Sequence, residues 1–249
     1  MQTKPEKRRF KRASLSGFSI MTMNKRLQTI ADMIPDGRGL IDVGTDHGYL
    51  PVWLAQSGYT GRILASDINP APLDAARKTA SEAAQEERIT FFLCDGLERC
   101  PPEEIDTIVI AGMGGDLICR ILDRAEWCMS DRYTLILQPM TKAEVVRYWL
   151  VNNGFRLAEE KLVQDSGILY QVISARYSEN MNLSDAELFS GAFENIRNDP
   201  LCAEWLDGLI LRFEKEERGL LCAAKTVEER LPICRNILCG LKEMREKLP

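Results

Sequence analysis

The sequence has one histidine, and its eight cysteines contain no Cys-x-x-Cys pair. A single imidazole cannot complete the usual Cys/His zinc sets, so the cysteines read as reduced, mostly buried thiols of a cytosolic protein. No apolar run approaches the roughly 20 residues of a membrane span. The basic start "MQTKPEKRRFKRASLSGFSIMTM" is interrupted by Ser, Gly and Thr and runs straight into Asn24-Lys25-Arg26, which argues against a secretory leader. G-x-G-x-x-G, the usual mark of dinucleotide binding, is also missing. Acid is scarce only at the beginning: residues 1–38 hold nine Lys/Arg against three acids, although the whole chain is at −5. A basic arm on an acidic body suits a polyanion partner, with a solvating tail as the alternative.

What is present alternates. At 249 residues there is room for one α/β domain of about 150 residues and a smaller appendage. Leu27, Ile30, Ala31 and Ile34 predict a short amphipathic helix ahead of the turn "PDGRG". "GLIDVG", "RILASDI", "ITFFLCD", "DTIVIAG" and "YTLILQP" read as buried strands. Three of the segments between them carry helical patterns, 49–57, "APLDAARKTASEAAQ" and "GDLICRILDRAEW", and so does "KAEVVRYWLVNNG" after the fifth. "FRLAEEKLVQ" and "ILYQVISARY" are joined only by Asp165-Ser166-Gly167, which forces an antiparallel hairpin. The expected fold is therefore α/β, with five parallel strands and an antiparallel edge hairpin, and it resembles the Rossmann-like class I methyltransferase sheet. A dinucleotide-binding sheet would supply a sixth parallel strand instead. Residues 178–249 carry no strand signal and predict a helical, coiled-coil-like hairpin arm linked near Ala223–Lys225.

The turn after the first strand, "VGTDHGY", follows Asp42 and contains Asp46 and the lone His47. A strand–Gly-turn–helix unit normally suits phosphate, but two carboxylates would repel it. S-adenosylmethionine removes the conflict, because its ammonium and sulfonium are cationic and it has no phosphate. Asp42 and Asp46 can accept from the ammonium, and Gly44 lets backbone approach the methionyl part. Asp67, followed by Ile68, closes the second strand, where a carboxylate can take both ribose hydroxyls. Asp95, followed by Gly96, closes the third, where an acceptor suits the adenine amino group. Singly, each aspartate reads first as a helix cap or turn residue; the three together carry the signal.

The fourth strand ends in "IAGMGGD", residues 110–116. Gly112, Gly114 and Gly115 leave little side chain beside a transferred methyl group, which suits a flat base edge against backbone. Met113 packs on cofactor or base, or is ordinary core. Tyr49 is the candidate stacking aromatic, or a helix-face packing residue. His47 reads first as a helix cap, and otherwise as a contact to phosphate or base. Gln138 offers paired amide groups for an adenine edge, or is a solvated helix-start residue. The catalytic candidates are thus Asp46, Tyr49 and Gln138, and the substrate-binding candidates His47, Tyr49, Gly114 and Gly115.

"KRLQTIADMIP", "DVGTDHGYLP", "IAGMGG" and "LILQP", in this order and spacing, resemble the bacterial tRNA (adenine-22 N1)-methyltransferase family. The resemblance covers residues 23–177 in motif and 178–249 in helical character, and leaves 1–22 as a basic extension. It implies a cytoplasmic, S-adenosylmethionine-dependent enzyme acting on tRNA, with no metal and no membrane partner. The alternatives are a methyltransferase for a small molecule or protein, or a non-catalytic tRNA- or cofactor-binding protein.

Overall fold

The computed structural model describes residues 21–178, 181–222 and 227–248. The basic residues 1–20 and the expected interhelical link near Ala223–Lys225 lie outside the described residues. Contacts divide the chain into two compact units, one ending at Ala111 and one beginning at Gly112.

The first unit opens with α1 (Lys25–Met33), capped by Asn24, whose side chain accepts from the Leu27 amide. Strand β1 (Gly39–Val43) is buried throughout and leads to α2 (Tyr49–Gln56). Then come β2 (Arg62–Asp67), α3 (Pro70–Glu82), β3 (Ile89–Leu93) and the start of β4 (Thr107–Gly114). β1 pairs in parallel with β2 on one side and with β4 on the other, so strand order reverses beside β1. β3 continues the parallel ladder, with Asp67 opposite Leu93. In open α/β sheets such a reversal point, at the carboxyl ends of the strands, is where ligands bind.

The second unit contains α4 (Gly115–Asp123), β5 (Thr134–Thr141), α5 (Ala143–Asn152), β6 (Phe155–Asp165) and β7 (Ile168–Tyr177). The β6–β7 turn is Ser166-Gly167, both at positive φ (51° and 81°), the conformation that lets two residues reverse a twisted pair. β7 runs antiparallel to both β5 and β6. The sheet order is β3-β2-β1-β4-β5-β7-β6, five parallel strands and an antiparallel edge pair, as the sequence predicts.

Past Tyr177 the described residues hold only helices: α6 (Asp185–Ser190), α7 (Phe193–Ile196), α8 (Cys202–Cys222) and α9 (Val227–Glu246). None of the described helices is long and apolar enough to cross a membrane. α8 and α9 pack antiparallel through Leu206, Leu209, Phe213, Ile237 and Leu241. Ion pairs follow the same register: Asp207 with Arg245, Glu214 with Lys242 and Glu217 with Arg235.

A buried polar network fastens these helices to the sheet edge. Arg147 of α5 is fully buried; it donates to Glu160 of β6 (2.8 Å), to the Leu188 carbonyl (2.8 Å) and to Gln171 of β7. Glu160 also accepts from the Ala192 amide at 2.7 Å, and the Ser190 carbonyl accepts from Gln171 and from Trp205. Stripping one partner from a buried ion pair strands the other charge, which typically costs about 3–5 kcal/mol.

Candidate active site

The acidic turn is tied down by backbone. Gly44 and Thr45 both donate to the Ser66 carbonyl of β2, at 2.8 and 2.9 Å. Gly48 sits at φ +70°, and a Cβ there would lie 2.9 Å from Ala76 Cβ of α3, so the turn needs glycine to reach its helix. Asp46 itself has φ +53° and is exposed. A non-glycine residue in the left-handed region costs local energy and draws attention to what it presents.

Asp42 is buried at the end of β1, where the Thr45 hydroxyl donates to its Oδ2 at 2.7 Å. Burial pushes its carboxyl from the ordinary 3.8 up to about 6, with the Thr45 bond opposing the rise and the Asp67 charge adding to it. An acid raised in this way holds its proton longer when folded than when unfolded. Ionising it therefore costs stability, and the loss sets in as pH climbs from 3.8 through about 6. We expect Asp42→Asn to stabilise the unliganded protein at pH 8 by on the order of 2 kcal/mol and to have little effect near pH 3.5. Denaturant unfolding at the two pH values checks this; equal differences at both would contradict it.

Asp67 is buried at the end of β2, and its Oδ1 accepts from the Asn69 amide at 2.9 Å. Asp95 is exposed beyond β3, and Gly96 follows at φ +58°. Two apolar side chains stand in solvent at these strand ends, Ile68 at 56% exposure and Leu93 at 49%. The Ser66 hydroxyl is fully buried and has no hydrogen-bond partner. The carboxyl edge of β1, β2 and β3 thus gathers Asp42, Gly44, Asp46, Asp67, Ile68, Asp95 and Gly96. Sequence reasoning missed Thr45 and Leu93. Thr45, three residues after Asp42, had the spacing of a local side-chain bond; Leu93 looked like one more core residue of its strand.

His47 departs from its first expectation. The N-cap of α2 is Gly48, with no side-chain capping bond. His47 instead lies exposed, its Nε2 3.7 Å from Asp46 and its ring stacked on Tyr49 at 5.5 Å and 20° between planes. The capping role fails because Gly48 at φ +70° ends the turn through backbone alone. Tyr49 is exposed rather than packed on its helix.

In the second unit the end of β4 is also held by specific partners. Gly112, at φ +78°, donates its amide to Gln138 Oε1 at 3.2 Å, and Gln138 Nε2 donates to the Pro139 carbonyl at 3.0 Å. Gln138 is fully buried, so its amide props the glycine turn; neither of its expected places, on an adenine edge or in solvent, matches this burial. Met113 and Gly114 are half-buried, and Gly115 is buried at the start of α4. A Cβ on Gly115 would lie 2.3 Å from the Lys142 carbonyl, so this glycine serves the packing of α4. Asp116, one residue on, pairs with Lys142, raising the lysine's pKa through that bond. No group of three or more His, Cys, Asp or Glu able to hold a metal ion occurs among the described residues.

A family model described as a methyltransferase domain matches residues 23–173. The chain belongs to that methyltransferase family. The tRNA (adenine(22)-N(1))-methyltransferase of Bacillus subtilis is 34% identical over 155 residues, which span 62% of this chain and 65% of that enzyme, just under two thirds of its length. A crystal structure of the B. subtilis m1A22 tRNA methyltransferase superposes with a TM-score of 0.80 at 27% identity, covering 90% of this methyltransferase and 99% of that chain. A Streptococcus pneumoniae protein solved in complex with S-adenosyl-L-methionine gives 0.74 at 28% identity, covering 90% and 100%.

Proposed function

We propose that this methyltransferase transfers a methyl group from S-adenosylmethionine to N1 of adenine 22 in tRNA, in the cytoplasm. Residues 23–177 would form the catalytic part and 178–249 a helical arm. The carrying observation is the pair of buried carboxylates, Asp42 and Asp67, beside an exposed acidic glycine turn at the point where strand order reverses. A cationic, phosphate-free ligand fits that donor set. The orphaned Ser66 hydroxyl and the exposed Ile68 and Leu93 fit a ligand that brings both polar and flat apolar parts. The similarity to the B. subtilis enzyme supports the choice of substrate.

When bound, the cofactor supplies an electrophilic methyl on sulfonium. Asp42 and Asp46 would hold its ammonium, Asp67 its ribose hydroxyls and Asp95 its adenine amino group, and Ile68 and Leu93 would offer apolar surface to its flat part. Adenine N1 would attack the methyl carbon through its in-plane lone pair as the carbon–sulfur bond breaks and its electron pair returns to sulfur, leaving a neutral thioether and a cationic methylated adenine. Alignment in a water-poor site does most of the work and no strong base is needed beforehand. N1 lies on the Watson–Crick edge, so the base must be unpaired or extruded. Tyr49, already stacked with His47, offers it an aromatic face. In the second unit Gly112 and Gly114 present no side chain, which suits a flat base edge, and Gln138 holds Gly112 in place.

Incubation with methyl-labelled S-adenosylmethionine and total bacterial tRNA, with bacterial protein and small-molecule extracts in parallel, tests the reading. Label is expected in tRNA; label in another fraction, or in none, overturns it.

A further inference from the structure

The second unit carries a groove of about 170 Å³ that methyl transfer itself does not use. One wall is the end of β5 and the turn after it, with Met140 (44% exposed) and Lys142; the other is β7, with Ile168 (55% exposed) and Tyr170. Trp205 and Arg212 of α8 close it. The Trp205 indole N–H is committed to the Ser190 carbonyl at 2.9 Å, so the ring is held in one orientation. Arg212 lies over two aromatic faces, 5.8 Å from the Phe189 centroid and 5.5 Å from that of Phe213. Rings beneath a guanidinium fix its position and leave its N–H edge for an oxygen acceptor. Lys142 is anchored by Asp116, and an ammonium has three donors, so one partner does not exhaust it. Glu144 is the groove's one lining carboxylate, and Asp116 offsets Lys142 from outside the lining, which leaves Arg212 as the groove's main cation.

Apolar and aromatic walls with cations fixed beside them match one chemistry, a planar base with its phosphates. The groove begins at Pro139 and Met140, directly after the Gln138 that holds Gly112 of the same unit. We infer that this groove binds one unpaired nucleotide of the RNA substrate next to the methylated adenine, its base against Met140, Ile168 and Trp205 and its phosphates at Arg212 and Lys142.

The inference rests on the tRNA reading, and it gives the helical arm a defined job. Of the arm's cations, Arg230, Arg235, Lys242 and Arg245 are paired with acids of α8, which offsets their charge. Arg212 points instead into a built groove.

The test uses the full chain with Arg212→Gln and, separately, Met140→Glu, with cofactor affinity and melting temperature as controls for folding. Unmodified tRNA binding is measured across a salt series beside methylation kinetics. Arg212→Gln is expected to raise KM for tRNA about tenfold, leave kcat within twofold, and lower the salt slope of binding by about one. Met140→Glu, which sets an anion where the base would lie, should raise KM at least as much. Wild-type KM and salt slope in both variants would overturn the inference. If the wild type binds tRNA without methylating it, and Arg212→Gln still weakens binding, the groove stands and the methyl-transfer reading falls.

Discussion

Gly114→Val is expected to reduce tRNA methylation by about 10²-fold or more while leaving cofactor affinity within twofold. The backbone tolerates the change. Gly114 is at φ −70° and ψ 148°, an ordinary extended conformation for a β-branched residue, and its Cβ would meet only the Thr141 hydroxyl at 3.3 Å. That hydroxyl is on an exposed residue and can turn away. On the proposed function the added methyls would fill the space of the base, and a reacting pair displaced by an ångström loses most of its alignment. Gly115→Ala is the contrasting control: its Cβ would press on the Lys142 carbonyl, so it should lower the melting temperature as well as the rate. Near-normal turnover in Gly114→Val, with the fold intact, would place the base elsewhere.

Asp67→Ala should strike the other half of the reaction. A carboxylate accepting two ribose hydroxyls contributes roughly 1.5–3 kcal/mol per charge-assisted bond, so losing both moves the cofactor Kd by about two orders of magnitude or more. Because Asp67 also accepts from the Asn69 amide at 2.9 Å, alanine loosens the β2–α3 turn as well. Asp67→Asn separates the two effects, since it keeps an acceptor for Asn69 but removes the charge. Calorimetry is expected to find both variants weakened, alanine more than asparagine, with little change in melting temperature for asparagine. Unchanged affinity in Asp67→Ala would remove Asp67 from the cofactor site.

The sheet was legible because its strands are compact apolar runs such as "GLIDVG" and "DTIVIAG", set between helical patterns, and because Ser166-Gly167 leaves room for nothing but a hairpin. The strand-end aspartates were legible for the same reason, since strand ends fix where side chains must be. What escaped depends on partners distant in sequence. Arg147 looks like an ordinary helix cation until Glu160 and Gln171 close on it, 13 and 24 residues further along. Gln138 looks available for a ligand until burial commits its amide to Gly112. Four cations of α9 are likewise met by acids of the facing helix, 14 to 38 residues away in sequence. His47 illustrates the reverse problem: a polar residue before a helix suggests a cap, but a left-handed glycine removes the need for one.

The most direct test of the central claim is to map the methyl group within tRNA after incubation with the protein and S-adenosylmethionine. A methyl on N1 blocks the Watson–Crick edge, so reverse transcription should halt immediately before adenine 22, and nucleoside mass analysis should find 1-methyladenosine. A transcript with guanine at that position should remain unmodified. Methylation at another position, or equal methylation of the guanine-22 transcript, would contradict the account.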